Sequence, residues 1–216
     1  MNNSAAFFDV DETLINMKSM FHFLNFWYRE QRETDKLDLY MSNFISEVKK
    51  GTAREKLNRE YYRQFEGVKY SILIEAGKKW FSEIIDKDIF IDEAILALKQ
   101  HQSQNVNIVF VSGSMMPILL PIANYLGVKD VLCAPIEVGE GGIVTGEMGT
   151  PQTIGQGKKI ALIDFCKERN IDPKKCYAYG DDISDIPMLE VTGHPICVGK
   201  NSVLSPYATK NDWLII

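Results

Sequence analysis

The opening of the chain constrains its fold most: Ala5 to Val10 (AAFFDV) is a short apolar run ending in acids, with Asp11 two residues beyond Asp9. A run of this length reads as a buried parallel strand, and polar groups at its carboxyl end place any chemistry there. The two acids interrupt the stretch Ala5 to Ile15, so it is not expected to act as a signal-peptide core or a membrane span.

From about Asn16 to Ile85 the periodicity is helical: Met17, Met20, Phe21, Leu24, Trp27 and Tyr28 recur at spacings of three and four. Thr52 to Glu55 has the form of a capping box opening a further helix. Asp92 then reads as an N-cap, and Val106 to Val111 (VNIVFV) as a second strand ending at Ser112-Gly113-Ser114. A helix over Pro117 to Leu126, a strand over Asp130 to Pro135, and a glycine-punctuated hairpin over Ile136 to Met148 follow. Beyond them come a helix from about Gly157 to Arg169, a strand over Cys176 to Tyr179, a helix near Asp185 to Glu190 and a strand near Pro195 to Val198. Repeated βα units of this kind imply an α/β fold, a doubly wound parallel sheet with its site along the carboxyl edge.

Charge and cysteine content exclude some functions. The 24 basic and 29 acidic residues leave a net charge of −5, which lacks the positive field of sequence-independent nucleic-acid binding. Nucleic acid and membrane are therefore not expected as partners. Cys133, Cys166, Cys176 and Cys197 form no CxxC pair, which argues against zinc and a disulfide framework and for reduced thiols in the cytoplasm. Residues 16–85 carry 13 Lys/Arg and 10 Asp/Glu, and the rest of the chain 11 and 19, so a mildly basic helical block faces an acid-rich remainder.

Four signals fall at the ends of predicted strands or starts of predicted helices: Asp9-Val10-Asp11-Glu12-Thr13, Ser112-Gly113-Ser114, Gly155-Gln156-Gly157-Lys158-Lys159 and Gly180-Asp181-Asp182-Ile183-Ser184-Asp185. Each alone has a structural explanation, as a turn, a loop, a solvated lysine pair or a helix cap. Together they offer what phosphoryl transfer requires: a nucleophile, charge neutralisation on the phosphate oxygens and a proton donor for the leaving oxygen.

In this order, DxDxT, a helical insertion, SGS, GxGK and GDxxxD followed by Ile-Pro-Met-Leu-Glu and Gly193-His194-Pro195 resemble the haloacid dehalogenase superfamily, in its phosphoserine-phosphatase-like branch, subfamily IB. The resemblance spans nearly the whole chain. It implies a Rossmannoid core over residues 1–15 and 86–216 and an inserted helical cap domain over 16–85 that selects the substrate. It further implies a Mg2+-dependent phosphomonoester hydrolase acting through an aspartyl phosphate on a small polar or anionic phosphorylated metabolite. A phosphotransferase using the same intermediate, or a catalytically silent phosphate-binding regulator, remains the alternative.

The resemblance assigns roles residue by residue. Asp9 matches the nucleophile and Asp11 the general acid and base. Ser112, with the neighbouring amide of Gly113, matches the phosphate-oxygen donor, and Lys158 matches the lysine that neutralises phosphate, with Lys159 as its competitor. Asp181 and Asp185 match the metal-binding acids, completed by Asp9 and the backbone carbonyl of Asp11, an all-oxygen set that suits Mg2+. Asp182 is an outer ligand or a cap, and Thr13 is expected to brace the loop after the first strand by hydrogen bonding its backbone. His22, His101 and His194 read as structural.

One position departs from the branch. Seven residues after the second Asp of DxDxT, phosphoserine phosphatases typically carry a Glu that holds the substrate ammonium, and this chain has Lys18. A cation there favours a carboxylate or a second phosphate, with Arg54 as a second candidate contact. The aromatic cluster Phe21, Phe23, Phe26, Trp27 and Tyr28 is expected chiefly as the core of the helical block.

Overall fold

In the computed structural model, which describes residues 4–216, the opening run forms β1 (Ala5–Phe8). Its side chains alternate as a strand requires: Ala6 and Phe8 join one buried cluster, Ala5 and Phe7 the other. Four helices follow, α1 (Ser19–Gln31), α2 (Thr34–Lys49), α3 (Arg54–Arg63) and α4 (Tyr70–Ile84). Then come α5 (Asp92–Ser103), β2 (Asn107–Ser112), α6 (Met116–Tyr125), β3 (Asp130–Cys133), and an antiparallel hairpin of β4 (Ile136–Val138) and β5 (Val144–Met148). The chain ends through α7 (Gln156–Glu168), β6 (Tyr177–Gly180), α8 (Ile186–Leu189), β7 (His194–Cys197), α9 (Ser205–Lys210) and β8 (Leu214–Ile215).

Six strands form one parallel sheet in the order β3-β2-β1-β6-β7-β8. The chain builds outward from β1 first to one side and then to the other, so the carboxyl ends of β2, β1 and β6 flank a crevice at the reversal point. Every one of the four motifs feeds that crevice.

The helical insertion enters and leaves through adjoining segments. Ile15 bridges Phe90 in antiparallel fashion, Asn16 N–H donates to Ile89 C=O at 2.8 Å, and Ile91 N–H donates to Leu14 C=O at 3.0 Å. Its interior is aromatic, with Phe23 edge-on to Trp80 at 5.9 Å and Trp27 edge-on to Phe65 at 5.7 Å. That interior is continuous with the cluster covering Phe8 of β1, so the insertion and the sheet share one core. Helix α4 lies against α6 at Gly77, where a Cβ would stand 1.8 Å from the Pro117 carbonyl oxygen; only glycine permits this approach. The hairpin seals the far side, with Gly67 N–H to Val144 C=O at 2.9 Å and Val144 N–H to Val68 C=O at 2.8 Å.

Some local expectations are corrected. The Thr52–Glu55 capping box does not form: α3 begins at Arg54 with Ala53 at its N-cap, and Thr52 Oγ1 donates to Glu47 at 2.8 Å. Asp92 sits within the first turn of α5 behind Ile91. Helix α9 and strand β8 carry no sequence signal because six and two residues are too short for periodicity to register.

Candidate active site

Past Phe8 the ladder continues for one residue, with Asp9 N–H donating to Tyr179 C=O at 3.0 Å. The chain then turns tightly. Leu14 and Ile15 both donate to Val10 C=O, and Glu12 takes a φ of +60°. Asp9 and Asp11 line the same cavity, as their spacing along extended backbone predicts. The first turn of α7 delivers Lys158, 4% exposed, whose Nζ lies 2.7 Å from Asp9 Oδ1 and 2.6 Å from Asp185 Oδ1. Asp185 is itself fixed, its Oδ2 accepting the N–H groups of Asp181 at 3.2 Å and Asp182 at 3.1 Å. Asp181 Oδ1 accepts from Thr13 Oγ1 at 2.7 Å. Thr13 therefore braces a carboxylate across the crevice. Lys159 lines no part of this cavity.

Burial dominates the electrostatics. It pushes the Asp9 carboxyl well above its ordinary value, with Lys158 opposing. It pushes Asp11 up to about 6, although the Ser19 hydrogen bonds pull the other way, and Asp181 up to about 7 against the Thr13 bond. Burial alone would lower the Lys158 ammonium, but the Asp185 and Asp9 carboxylates outweigh it and hold it above its usual range. Four acid side chains thus stand around one buried ammonium, a shortage of positive charge, while burial is what chiefly raises Asp9, Asp11 and Asp181.

A divalent cation fits that shortage. Carboxylate oxygens of Asp9, Asp181 and Asp185 lie within 4.8 Å of one another, all three residues buried. Asp11 Oδ1 is buried with no hydrogen-bond partner, while its Oδ2 accepts the Ser19 N–H at 3.0 Å at the start of α1. The Asp11 carboxyl is not among the clustered groups. It lines the cavity while keeping a buried oxygen without a partner.

The Ser112–Ser114 loop faces these acids. Ser112 Oγ accepts the Ser114 N–H at 3.1 Å, the Ser112 carbonyl accepts from Thr153 Oγ1, and the Gly113 carbonyl accepts from Asn58 Nδ2 of α3 at 3.3 Å. Gly113 packs so closely that a Cβ would stand 2.6 Å from Ile154 Cγ1. The cavity between loop and acids is about 140 Å³. At its mouth Lys18 pairs with Glu12 at 2.5 Å and Arg54 with Asp182 at 2.7 Å, with Ser184 Oγ 3.2 Å from the same Arg54 nitrogen. A larger cavity of about 560 Å³ opens inside the insertion beside Tyr40 and Phe44. It lies away from the carboxylate cluster, so chemistry rather than size marks the candidate site.

A family model described as haloacid dehalogenase-like hydrolase matches residues 6–190. The chain belongs to that family. It is 27% identical over 217 aligned residues to the "inhibition of morphological differentiation protein" of Streptomyces azureus, covering 99% of this chain and 78% of that one. It is 26% identical to the phosphoserine phosphatase SerB1 of Mycobacterium tuberculosis, covering 98% and 70%. A crystal structure of a protein of unknown function from Bordetella pertussis Tohama I superposes with a TM-score of 0.90 at 18% identity, covering 100% of this chain and 99% of that one, and so shares the fold. This haloacid dehalogenase-like hydrolase is thus similar in sequence to a protein named as a phosphoserine phosphatase, and it shares the fold of phosphoserine phosphatases.

In this hydrolase, Asp9, Asp11, Ser112, Gly113, Lys158, Asp181, Lys18 and Arg54 line one cavity, and Asp185 stands behind Asp9 and Lys158. Asp182 caps Ser184 N–H at 2.9 Å. Despite its partial burial, the Ser184 bonds and the Arg54 guanidinium hold its carboxyl below the usual range. Lys18 and Arg54 are each neutralised by an acid, so neither is the unopposed cation that the sequence suggests. Phe23, Phe26, Trp27 and Tyr28 are buried in the insertion's core, whereas Phe21 lines the cavity. The histidines are structural: His22 Nδ1 accepts from Trp80 at 2.9 Å, His101 bonds Tyr179 and His194 stacks on Tyr177. Sequence reasoning missed Glu12, Ser19 and Asn58. Asn58 follows Arg54 by four residues on α3, but nothing in the sequence marks which face of that helix is buried.

Proposed function

We propose that this hydrolase is a Mg2+-dependent phosphomonoesterase acting through an aspartyl phosphate on Asp9, with the helical insertion, residues 16–85, serving as a substrate-selecting cap. The reading is carried by one juxtaposition: Asp9 held by Lys158 at 2.7 Å, with Asp11 beside it presenting a buried oxygen that has no partner.

Asp9 is the nucleophile. Its Oδ attacks phosphorus, the ester P–O bond breaks, and the leaving oxygen takes a proton from Asp11, whose raised value lets it carry that proton near neutrality. In the second half, Asp11 as carboxylate takes a proton from water as the water oxygen attacks phosphorus. The bond to Asp9 then breaks and inorganic phosphate leaves. Lys158 offsets the repulsion between the Asp9 carboxylate and a dianionic phosphate and neutralises the acyl phosphate. Ser112 and the Gly113 amide donate to phosphate oxygens. Asp9, Asp181 and Asp185, with the Asp11 carbonyl, would hold the metal. Once bound, Mg2+ supplies positive charge to the equatorial oxygens.

A cavity of about 140 Å³ admits a phosphate and a small remainder. Two cations and two acids alternate at the mouth, which favours a small polar phosphomonoester able to exchange partners with Lys18–Glu12 and Arg54–Asp182. The cytoplasm suits the four free cysteines, and no described helix is long and apolar enough to cross a membrane.

Phosphate release from p-nitrophenyl phosphate and a panel of small phosphomonoesters, with Mg2+ and with EDTA, tests the reading. Turnover that needs Mg2+ and is lost in Asp9→Asn is expected. Turnover retained in Asp9→Asn overturns the assignment, and phosphate transferred to added alcohols in place of water would make the enzyme a phosphotransferase.

A further inference from the structure

The peptide joining Gly113 to Ser114 is held at both ends. Its carbonyl accepts from Asn58 Nδ2 at 3.3 Å, and its N–H donates to Ser112 Oγ at 3.1 Å. In a trans peptide these two groups point in opposite directions, so a donor on one side fixes where the N–H points on the other. With an N–H occupying a lone pair of Ser112 Oγ, the hydroxyl proton is left free to reach an oxygen in the cavity, which Ser112 lines. The preceding peptide is pinned in a parallel way, its carbonyl accepting from Thr153 Oγ1 of the core. The two anchors differ in origin. Thr153 belongs to the segment leading into α7, whereas Asn58, only 6% exposed, projects from α3 of the insertion.

We propose that Asn58 is a positioning residue for phosphate: through the Gly113–Ser114 peptide it sets the orientation of the Ser112 hydroxyl, so the phosphate cradle is complete only while the insertion is seated on the sheet. This rests on Ser112 acting as a phosphate donor, as proposed above. Asn58 does not itself line the cavity and reaches it only through Gly113. Its effect is transmitted through one peptide plane, which without its anchor can rotate and release Ser112 Oγ. Ser19 Oγ lies 3.4 Å from Ser114 Oγ, so the loop meets the insertion at a second point, but that contact leaves the peptide's orientation free.

The test is a double-mutant cycle on Asn58 and Ser112, read as kcat/KM for p-nitrophenyl phosphate with Mg2+ and as inhibition by inorganic phosphate. Loss of one neutral hydrogen bond is expected to lower kcat/KM and weaken phosphate inhibition about fivefold to tenfold in Asn58→Ala. In a Ser112→Ala background the same substitution is expected to change either quantity less than about twofold. Asn58→Leu keeps the side chain's shape without the donor and is expected to match Asn58→Ala, which separates orientation from packing should the alanine variant fold poorly. An equal loss in both backgrounds, or wild-type behaviour of Asn58→Leu, overturns the proposal while leaving Ser112 as phosphate donor. Wild-type kinetics in Ser112→Ala remove the role of Ser112 itself, and the proposal with it.

Discussion

Arg54 of α3 and Asp182, 128 residues further along the chain, meet at 2.7 Å across the mouth of the active-site cavity. Beside them Lys18 and Glu12 meet at 2.5 Å. The four side chains sum to no net charge, so a second anionic group on a substrate gains a cation only by releasing an acid. Asp182→Asn or Glu12→Gln removes that competition. Each is expected to raise kcat/KM for a phosphomonoester bearing a carboxylate, relative to p-nitrophenyl phosphate, by up to about fivefold, the scale of one exposed ion pair. The gain should shrink as salt is added. An unchanged ranking in both variants would show that the substrate does not reach these pairs.

Burial raises Asp11 to about 6 and Asp181 to about 7, above the ordinary carboxyl range in an unfolded chain. The folded, metal-free protein therefore binds these protons more tightly. The associated stability is present below about pH 4 and lost as pH rises through about 6 to 7. With EDTA, the Tm of Asp181→Asn should gain on that of the wild type between about pH 5 and about pH 8. Added Mg2+ near pH 8 should raise the wild-type Tm and leave the variant's largely unchanged. A variant Tm that falls relative to wild type over that range would contradict this account.

His101 behaves with the opposite sign. Its ring is 8% exposed, bonds Tyr179 Oη through Nε2 at 2.8 Å, and leaves Nδ1 buried without a partner. Burial keeps its pKa below the usual histidine value. Its contribution to stability is full above about pH 6.5 and is lost as pH falls through the lower folded value. Urea unfolding should find His101→Phe less stable than wild type by about 1–3 kcal/mol near pH 8, because the Tyr179 hydroxyl loses its partner. The deficit should close toward about pH 5.

Gly77 has no room for a side chain against the Pro117 carbonyl. Gly77→Ala forces α4 away from α6 and is expected to cost about 1–3 kcal/mol in urea unfolding. It should also raise KM more than it lowers kcat, since the displaced insertion closes the cavity less well. A neutral result would mean that the two helices slide apart without strain.

The sheet was legible because its signals are local: AAFFDV and VNIVFV are short apolar runs with polar ends, and three of the motifs follow such runs while Gly155–Lys159 opens a helix. The acids were legible because their order along the chain is specific. What escaped was pairing across the insertion and the core. Lys18 and Arg54 read as free cations in the sequence, since nothing in it reveals that Glu12, at positive φ, and Asp182 stand opposite them. Thr13 is expected from the sequence to bond the backbone of its own loop, but it donates to the Asp181 carboxylate, 168 residues away. Asn58 is a polar residue on a helix whose exposed and buried faces cannot be told apart until α3 is seated on Gly113.

The adjoining entry and exit of the insertion also bear on how such a protein can change over generations. Asn16 and Ile89 are joined by a 2.8 Å backbone hydrogen bond, so everything between them occupies no more of the sheet's perimeter than a tight turn would. The strand order and the acids of the crevice make no demand on the length of that excursion. Its helices can lengthen or shorten while the sheet beneath stays in register, provided that Ser19 and Asn58 keep their contacts to Asp11 and Gly113.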